Sequence, residues 1–174
     1  MKTQWTVVRD SREKKPLAFP KNLVVLDKIG RSTTIRLWEE TDTLYKGDYY
    51  LRDHEHDGIV ERKYTIDEMT INLFSYHRRK LFIKELDYLS ERSKVPYVLL
   101  DGSPRKFLTP TKRQPYPGVV FDALFDLILP RKIGLLIIPS DTLSARRAMG
   151  EIVARLLIRS ALLSSSGSFY AKGP

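Results

Sequence analysis

A chain of 174 residues, 42% hydrophobic and 29% charged, has the size of one globular domain and is too apolar to stay disordered. Its lack of cysteine excludes a disulfide framework, a thiolate metal site and a cysteine nucleophile together. Lysine and arginine number 30 against 21 aspartate and glutamate, and this net charge of +9, with a pI near 9.7, favours a polyanionic partner such as nucleic acid.

Trp5–Arg9 reads as a short strand that runs into the polar stretch Asp10–Glu13, after which Pro16 and Pro20 keep the chain irregular. In Thr33–Trp38, Ile35 and Leu37 alternate with Thr34, Arg36 and Trp38, the pattern of a half-buried strand. Asp48–Arg52 and Ile59–Lys63 are β-prone runs on either side of the turn dipeptide Asp57–Gly58 and should pair antiparallel, with His54 and His56 solvated in the turn. Thr65 with Glu68 three residues later has capping-box spacing, and Ile66, Met69 and Leu73 then recur at helical intervals. Arg78–Arg92 is helical, with Phe82, Leu86 and Leu89 on one stripe.

Further on, Tyr97–Leu100 is a compact strand, Pro104–Pro117 a long basic loop, Val119–Leu129 a mostly buried helix and Ile133–Ile138 a buried strand. Leu143–Leu163 is a long helix whose inner face carries Met149, Ile152 and Leu156. The sum is a three-layer α/β domain with a central mixed sheet over residues 1–163, followed by a Ser- and Gly-rich tail over 164–174. No apolar run reaches the roughly 20 residues of a membrane span, and Met1–Trp5 lacks the apolar segment of a secretory signal. The protein is therefore expected to be cytoplasmic, or nuclear in a eukaryote, and neither membrane-bound nor secreted.

The chemistry concentrates in Gly47–Asp48–Tyr49, Glu61–Arg62–Lys63 and Asp67. On a strand, Glu61 and Lys63 project to one side and Arg62 to the other, and Asp48 on the paired strand lies beside the first two. Two converging carboxylates, with the Arg62 carbonyl as a further donor, make an all-oxygen site for Mg²⁺ or Mn²⁺, and an ammonium next to it suits phosphoryl hydrolysis. By residue type alone, a glutamate and a lysine two apart are equally at home on a solvated strand face.

Taken jointly, Gly47, Asp48, Glu61, Arg62, Lys63 and Asp67 resemble the Gly-Asp, Glu-Arg-Lys, three-residue gap, Asp signature of the XPF-type structure-specific nucleases. These are a branch of the PD-(D/E)xK restriction-enzyme-like superfamily that includes the archaeal Hef nuclease. Asp10, Arg12 and Glu13 match the family's upstream Asp-x-Arg-Glu, and the likeness runs from Trp5 to Leu163. The resemblance implies a restriction-endonuclease-like fold and metal-dependent cleavage of DNA. Asp48 and Glu61 would ligate the metal, Lys63 would be the catalytic lysine, and Asp10 would assist the metal or its waters. Arg12, Glu13, Arg62 and Asp67 would support the site by salt bridges, phosphate contact or bracing of the helix that follows. Members usually carry a tandem helix-hairpin-helix module as well, and nothing after Leu163 reads as one.

His77–Lys80, with Arg78 and Arg79, joins Arg105, Lys106, Lys112 and Arg113 as a candidate phosphate-tracking surface, to which Arg62 is added; simple solubility is the plainer reading of such charge. The leading expectation is an endonuclease acting on branched, flap or junction DNA in repair or recombination, paired as a homodimer or heterodimer through Leu143–Leu163 and Val119–Leu129. The competing expectation is a catalytically silent DNA-binding or dimerisation subunit, and the intact acidic residues and lysine speak against it.

Overall fold

In the computed structural model, which describes residues 3–26 and 30–165, seven strands form one sheet between two helical layers. β1 (Gln4–Asp10) buries Trp5, Val7, Val8 and Asp10. β2 (Asn22–Leu26), which the sequence reading did not anticipate, alternates with Leu23 and Val25 inward and Val24 and Leu26 outward. β3 (Ser32–Asp42) buries Ile35 and Leu37 as the alternation predicts and extends four residues past Trp38. β4 (Tyr49–Leu51) and β5 (Ile59–Lys63) pair antiparallel, Tyr49 opposite Val60.

Gly47 makes this pairing possible. Its φ of +82° lies in the left-handed region, and a Cβ there would stand 2.5 Å from Ile59 Cγ2, so only glycine lets the chain close on β5. The turn between the strands is less solvated than expected: Asp57 is buried, His54 Nδ1 lies 2.9 Å from Asp57 Oδ2, and the His54 ring packs on Trp5 at 5.0 Å. His54 thus serves to close the hairpin, while His56 is exposed as expected.

Thr65 caps α1 (Ile66–Phe74) by accepting from the Glu68 amide, and the Glu68 carboxylate accepts from the Tyr64 amide at 2.9 Å. Ser75 breaks the chain before α2 (Tyr76–Arg92), which buries Phe82, Leu86 and Leu89. β6 (Pro96–Asp101) follows. The expected loop 104–117 begins instead with a helical turn, α3 (Pro104–Leu108), because Ser103 caps it, Pro104 starts it and Phe107 anchors it in the core. α4 (Pro117–Ile128) leads to β7 (Gly134–Ile138), whose residues are all half-buried because it is an edge strand.

α5 (Leu143–Ser164) closes the domain, and its inner face is Met149, Val153, Leu157, Ile158 and Ala161. Of the expected inner residues only Met149 is fully buried: Leu156 is half-buried and Ile152 exposed, so the true stripe runs one residue past the predicted one. The expected tail lies outside the described residues from 166 onward. No helix among the described residues is long and apolar enough to cross a membrane.

The strand order is β2-β3-β1-β4-β5-β6-β7, with β2 and β4 running against the other five. α5 packs on one face against Val7, Leu37, Tyr49 and Val60. α1, α2 and α4 pack on the other against Ile59, Val98 and Leu100. This is the expected three-layer α/β architecture. Its consequence for function is that the ends of β1, β5, β6 and β7 and the start of β4 all meet at one edge of the sheet.

Candidate active site

Three backbone links draw the acidic residues together at that edge. The Asp10 amide donates to the Asp48 carbonyl at 3.0 Å, the Asp48 amide to the Val60 carbonyl at 2.8 Å, and the Arg62 amide to Asp48 Oδ2 at 2.7 Å. The cavity that results, of about 220 Å³, is lined by Asp10, Asp48, Glu61, Glu85, Arg12 and the Tyr45–Gly47 turn. Four carboxylates thus face one small space.

Strand alternation puts Glu61 and Lys63 on the α2 side, as predicted, with both buried and the Lys63 ammonium hydrogen-bonded to Glu61 Oε1. Lys63 Nζ also lies 3.3 Å from Glu85 Oε2 and 5.6 Å from the Phe82 ring centre. Glu85 was not singled out from the sequence. The available signal is its position three residues after buried Phe82, in a helix whose first nine residues carry four Lys or Arg and no acid.

Burial pushes the Asp48 carboxyl up to about 7; the Arg62 amide and Lys63 pull it down, and Glu13 and Glu85 add to the rise. Burial drives Glu61 upward too, against the pull of Lys63 and with the push of Asp48 and Glu85. For Lys63, burial acts to lower the ammonium, but Glu61 and Glu85 outweigh it and hold the lysine charged well above its ordinary range. Asp10 differs: burial raises it, yet Arg12, bonded to both carboxylate oxygens at 2.6–3.1 Å, brings it below the ordinary value.

The other residues of the signature do not join this cavity. The Arg62 side chain, expected to contact DNA, is fully buried behind β5. It donates to Asp101 Oδ2 at 2.5 Å, Ser140 Oγ at 2.8 Å and the Lys15 carbonyl at 2.5 Å. It therefore has no face to offer a phosphate backbone. Glu13 lies on that same side, accepting from the Tyr64 hydroxyl and the Lys15 amide and standing 3.7 Å from Arg62 Nη1. Asp67 accepts from Thr111 Oγ1 at 2.8 Å and so ties α1 to the loop after α3. Arg78, Arg79, Lys80, Arg105, Lys106, Lys112 and Arg113 are all exposed.

Among the described residues no group of three or more acidic or imidazole side chains stands close enough to hold a metal as placed. The donor set nonetheless fits one. It is all oxygen, it is like-charged and partly desolvated, and Lys63 alone of the buried groups in the cluster supplies a countercharge.

No family model matches the chain, and no curated protein matches it. Among solved structures it is similar to XPF from Aeropyrum pernix, with a TM-score of 0.60 at 20% identity over 97% of this chain and 67% of that one. It is also similar to XPF from Aeropyrum pernix in complex with DNA, with a TM-score of 0.55 at 22% identity over 95% of this chain and 67% of that one. The chain is therefore built on the XPF-type fold that its Gly-Asp and Glu-Arg-Lys signature implies.

Proposed function

We propose that this protein is a divalent-metal-dependent DNA endonuclease that hydrolyses phosphodiester bonds in branched, flap or junction DNA. The observation that carries the reading is the convergence of Asp10, Asp48, Glu61 and Glu85 on one cavity beside Lys63. An XPF-type fold, with one solved example in complex with DNA, supports it.

Asp48 and Glu61 would hold Mg²⁺ or Mn²⁺, with Asp10 at the rim. The bound metal would supply Lewis-acid polarisation of a phosphoryl oxygen and a water of lowered pKa. The chain's own groups do the rest. Lys63, an ammonium fixed between Glu61 and Glu85, stabilises negative charge gathering on a phosphate at the mouth of the cavity. The Arg62 amide fixes the Asp48 carboxylate in the wall of the cavity. Arg12, exposed yet anchored on Asp10, is placed to meet an incoming phosphate. The exposed cations of α2, Arg78, Arg79 and Lys80, and of the segment 105–113 track the backbone further out. Pairing of two copies through α4 and the outer side of α5, where Val119, Leu129 and Ile152 are exposed, belongs to the same reading.

The test is cleavage of labelled flap, fork, four-way-junction and linear duplexes with Mg²⁺, Mn²⁺ or EDTA, alongside Lys63→Ala and Glu61→Gln. Metal-dependent cutting of branched DNA, lost in both variants while DNA binding persists, is expected. Wild-type protein that binds but cuts nothing under any metal, or a Glu61→Gln variant that cuts at the wild-type rate, overturns the reading.

A further inference from the structure

The acidic cavity has one stretch of wall that is neither acid nor cation. Tyr45, in the link between β3 and β4, lines it together with Asp10, Asp48 and Arg12. The residue is 75% exposed, although its neighbour Leu44 is buried. Lone exposed aromatics are ordinary on a protein surface. Tyr45 differs in its place beside the carboxylates and in how firmly its backbone is set. On one side the Leu44 carbonyl accepts from Arg12 Nη2 at 2.6 Å; on the other, Gly47 takes its left-handed turn and the Asp48 amide donates to the Val60 carbonyl.

The ring itself rests on a fixed neighbour. Tyr88 meets it edge-on, with ring centres 5.2 Å apart and planes at 64°, and the Tyr88 hydroxyl is held in turn by Glu55 Oε1 at 2.9 Å. Lys46 Nζ stands 5.9 Å from the Tyr45 ring centre and, like Arg12, belongs to the wall of the same cavity. These contacts leave most of Tyr45 open where it borders the acids. A nucleotide joins an anion to a flat aromatic base, and this wall offers a complement to both: Arg12 and Lys46 for the anion, Tyr45 for the base.

We propose that Tyr45 is a stacking platform for an unpaired nucleobase at the mouth of the acidic cavity, beside the phosphate that Arg12 and Lys46 receive. Stacking on an aromatic side chain is tolerant of sequence, because every base has a π face. It is not tolerant of pairing. A base inside a duplex is covered by its neighbours on both faces, and bringing it onto Tyr45 means extruding it, which costs least where the base is already unpaired. The platform therefore selects a strand that is single at the cavity, the condition met at a fork or flap. That the stacked base adjoins the phosphate to be cut rests on the proposed nuclease function; that the site takes an unpaired base does not.

The experiment titrates the full chain into a single strand of about 20 nucleotides carrying one central 2-aminopurine, whose fluorescence falls on stacking, and into the blunt duplex of that strand. Both are measured with Ca²⁺ as the only divalent ion and again in EDTA. Wild type is compared with Tyr45→Ala, Tyr45→Phe and Tyr116→Ala; Tyr116 is 72% exposed but lies outside the cavity wall. All three variants alter exposed side chains and are checked for an unchanged unfolding midpoint. Quenching of the single strand is expected in at least one condition with wild type, Tyr45→Phe and Tyr116→Ala. Tyr45→Ala is expected to lose the quench and to bind the strand about fivefold or more weakly, while its affinity for the duplex stays within about twofold. No quench with wild type, a quench that survives in Tyr45→Ala, or its loss in Tyr116→Ala alone overturns the platform. An equal loss of strand and duplex affinity in Tyr45→Ala overturns the assignment to an unpaired base. Because neither readout needs cleavage, a protein that cuts no DNA can still pass this test, and an active nuclease can fail it.

Discussion

Replacing Asp48 by asparagine should make the metal-free protein more stable at pH 8, even though the same change removes a proposed metal ligand. The Asp48 carboxyl is pushed up to about 7 by burial in the folded chain, against an ordinary value of 3.8. Between those values the folded state holds a proton that the unfolded state has released, so stability falls as pH rises through the window. At about 1.4 kcal/mol per unit, the three units amount to about 4 kcal/mol at pH 8 and about 2 kcal/mol at pH 5. Asparagine keeps an oxygen to accept from the Arg62 amide, and the charge assistance that the ionised carboxylate gives this bond is already contained in its value of about 7. The net gain is then about 4 kcal/mol at pH 8, or roughly 8–16 °C in midpoint for a chain of this length, shrinking to about 2 kcal/mol at pH 5. Thermal and urea unfolding in EDTA at the two pH values measure it. An Asp48→Asn protein that is no more stable than wild type at pH 8, or whose gain does not shrink on acidification, would refute the account of Asp48 as a carboxylate held against its solvation.

The same crowding predicts that Mn²⁺ raises the wild-type midpoint, by about 2.7 kcal/mol of stabilisation at a hundred times its dissociation constant. EDTA should reverse the rise and Asp48→Asn should blunt it; equal shifts in both proteins would place the ion elsewhere. Gly47→Ala should cost about 2–4 kcal/mol, since the residue needs a left-handed backbone and its Cβ would overlap Ile59, and an unchanged midpoint in denaturant would contradict the geometry. If the start of α2 tracks phosphates, Arg78→Ala/Arg79→Ala/Lys80→Ala should flatten the plot of log affinity against log salt by up to about three units without favouring any DNA sequence. A slope equal to that of the wild type would assign those cations to solubility alone.

Much of this site is legible in the sequence because strand alternation is a strict rule. Once Ile59–Lys63 is a strand, Glu61 and Lys63 must share a face and Arg62 must leave it. Alternation does not say what covers the other face. Arg62 meets the loop after β1 and the ends of β6 and β7, partners 39 to 78 residues away in sequence, and so it is an internal cation instead of a DNA contact. Glu85 escapes notice for a related reason: its role comes from the packing of α2 onto β5, and no local spacing encodes that contact. The edges of the sheet are hidden differently. β2 is short and exposes Val24 and Leu26, while β7 is apolar enough to read as central although it lies at the rim. On α5 the apolar residues cover more than one stripe, so composition alone does not choose between the faces of Ile152 and Val153.

Because β5 stands between the acidic cavity and the buried Arg62 network, its length admits no change. One residue inserted between Ile59 and Lys63 would turn every later side chain to the opposite face, sending an acid or the lysine into the Arg62 network and the guanidinium into the acidic cluster. Both would be lost in a single step. An insertion in the 109–116 loop shifts no strand of the sheet and disturbs the loop's own bonds, between Thr111 and Gln114 and from Thr111 to Asp67, so the same added residue there should leave both formed. Where the chain tolerates added length is thus decided by which residues must keep their parity along β5.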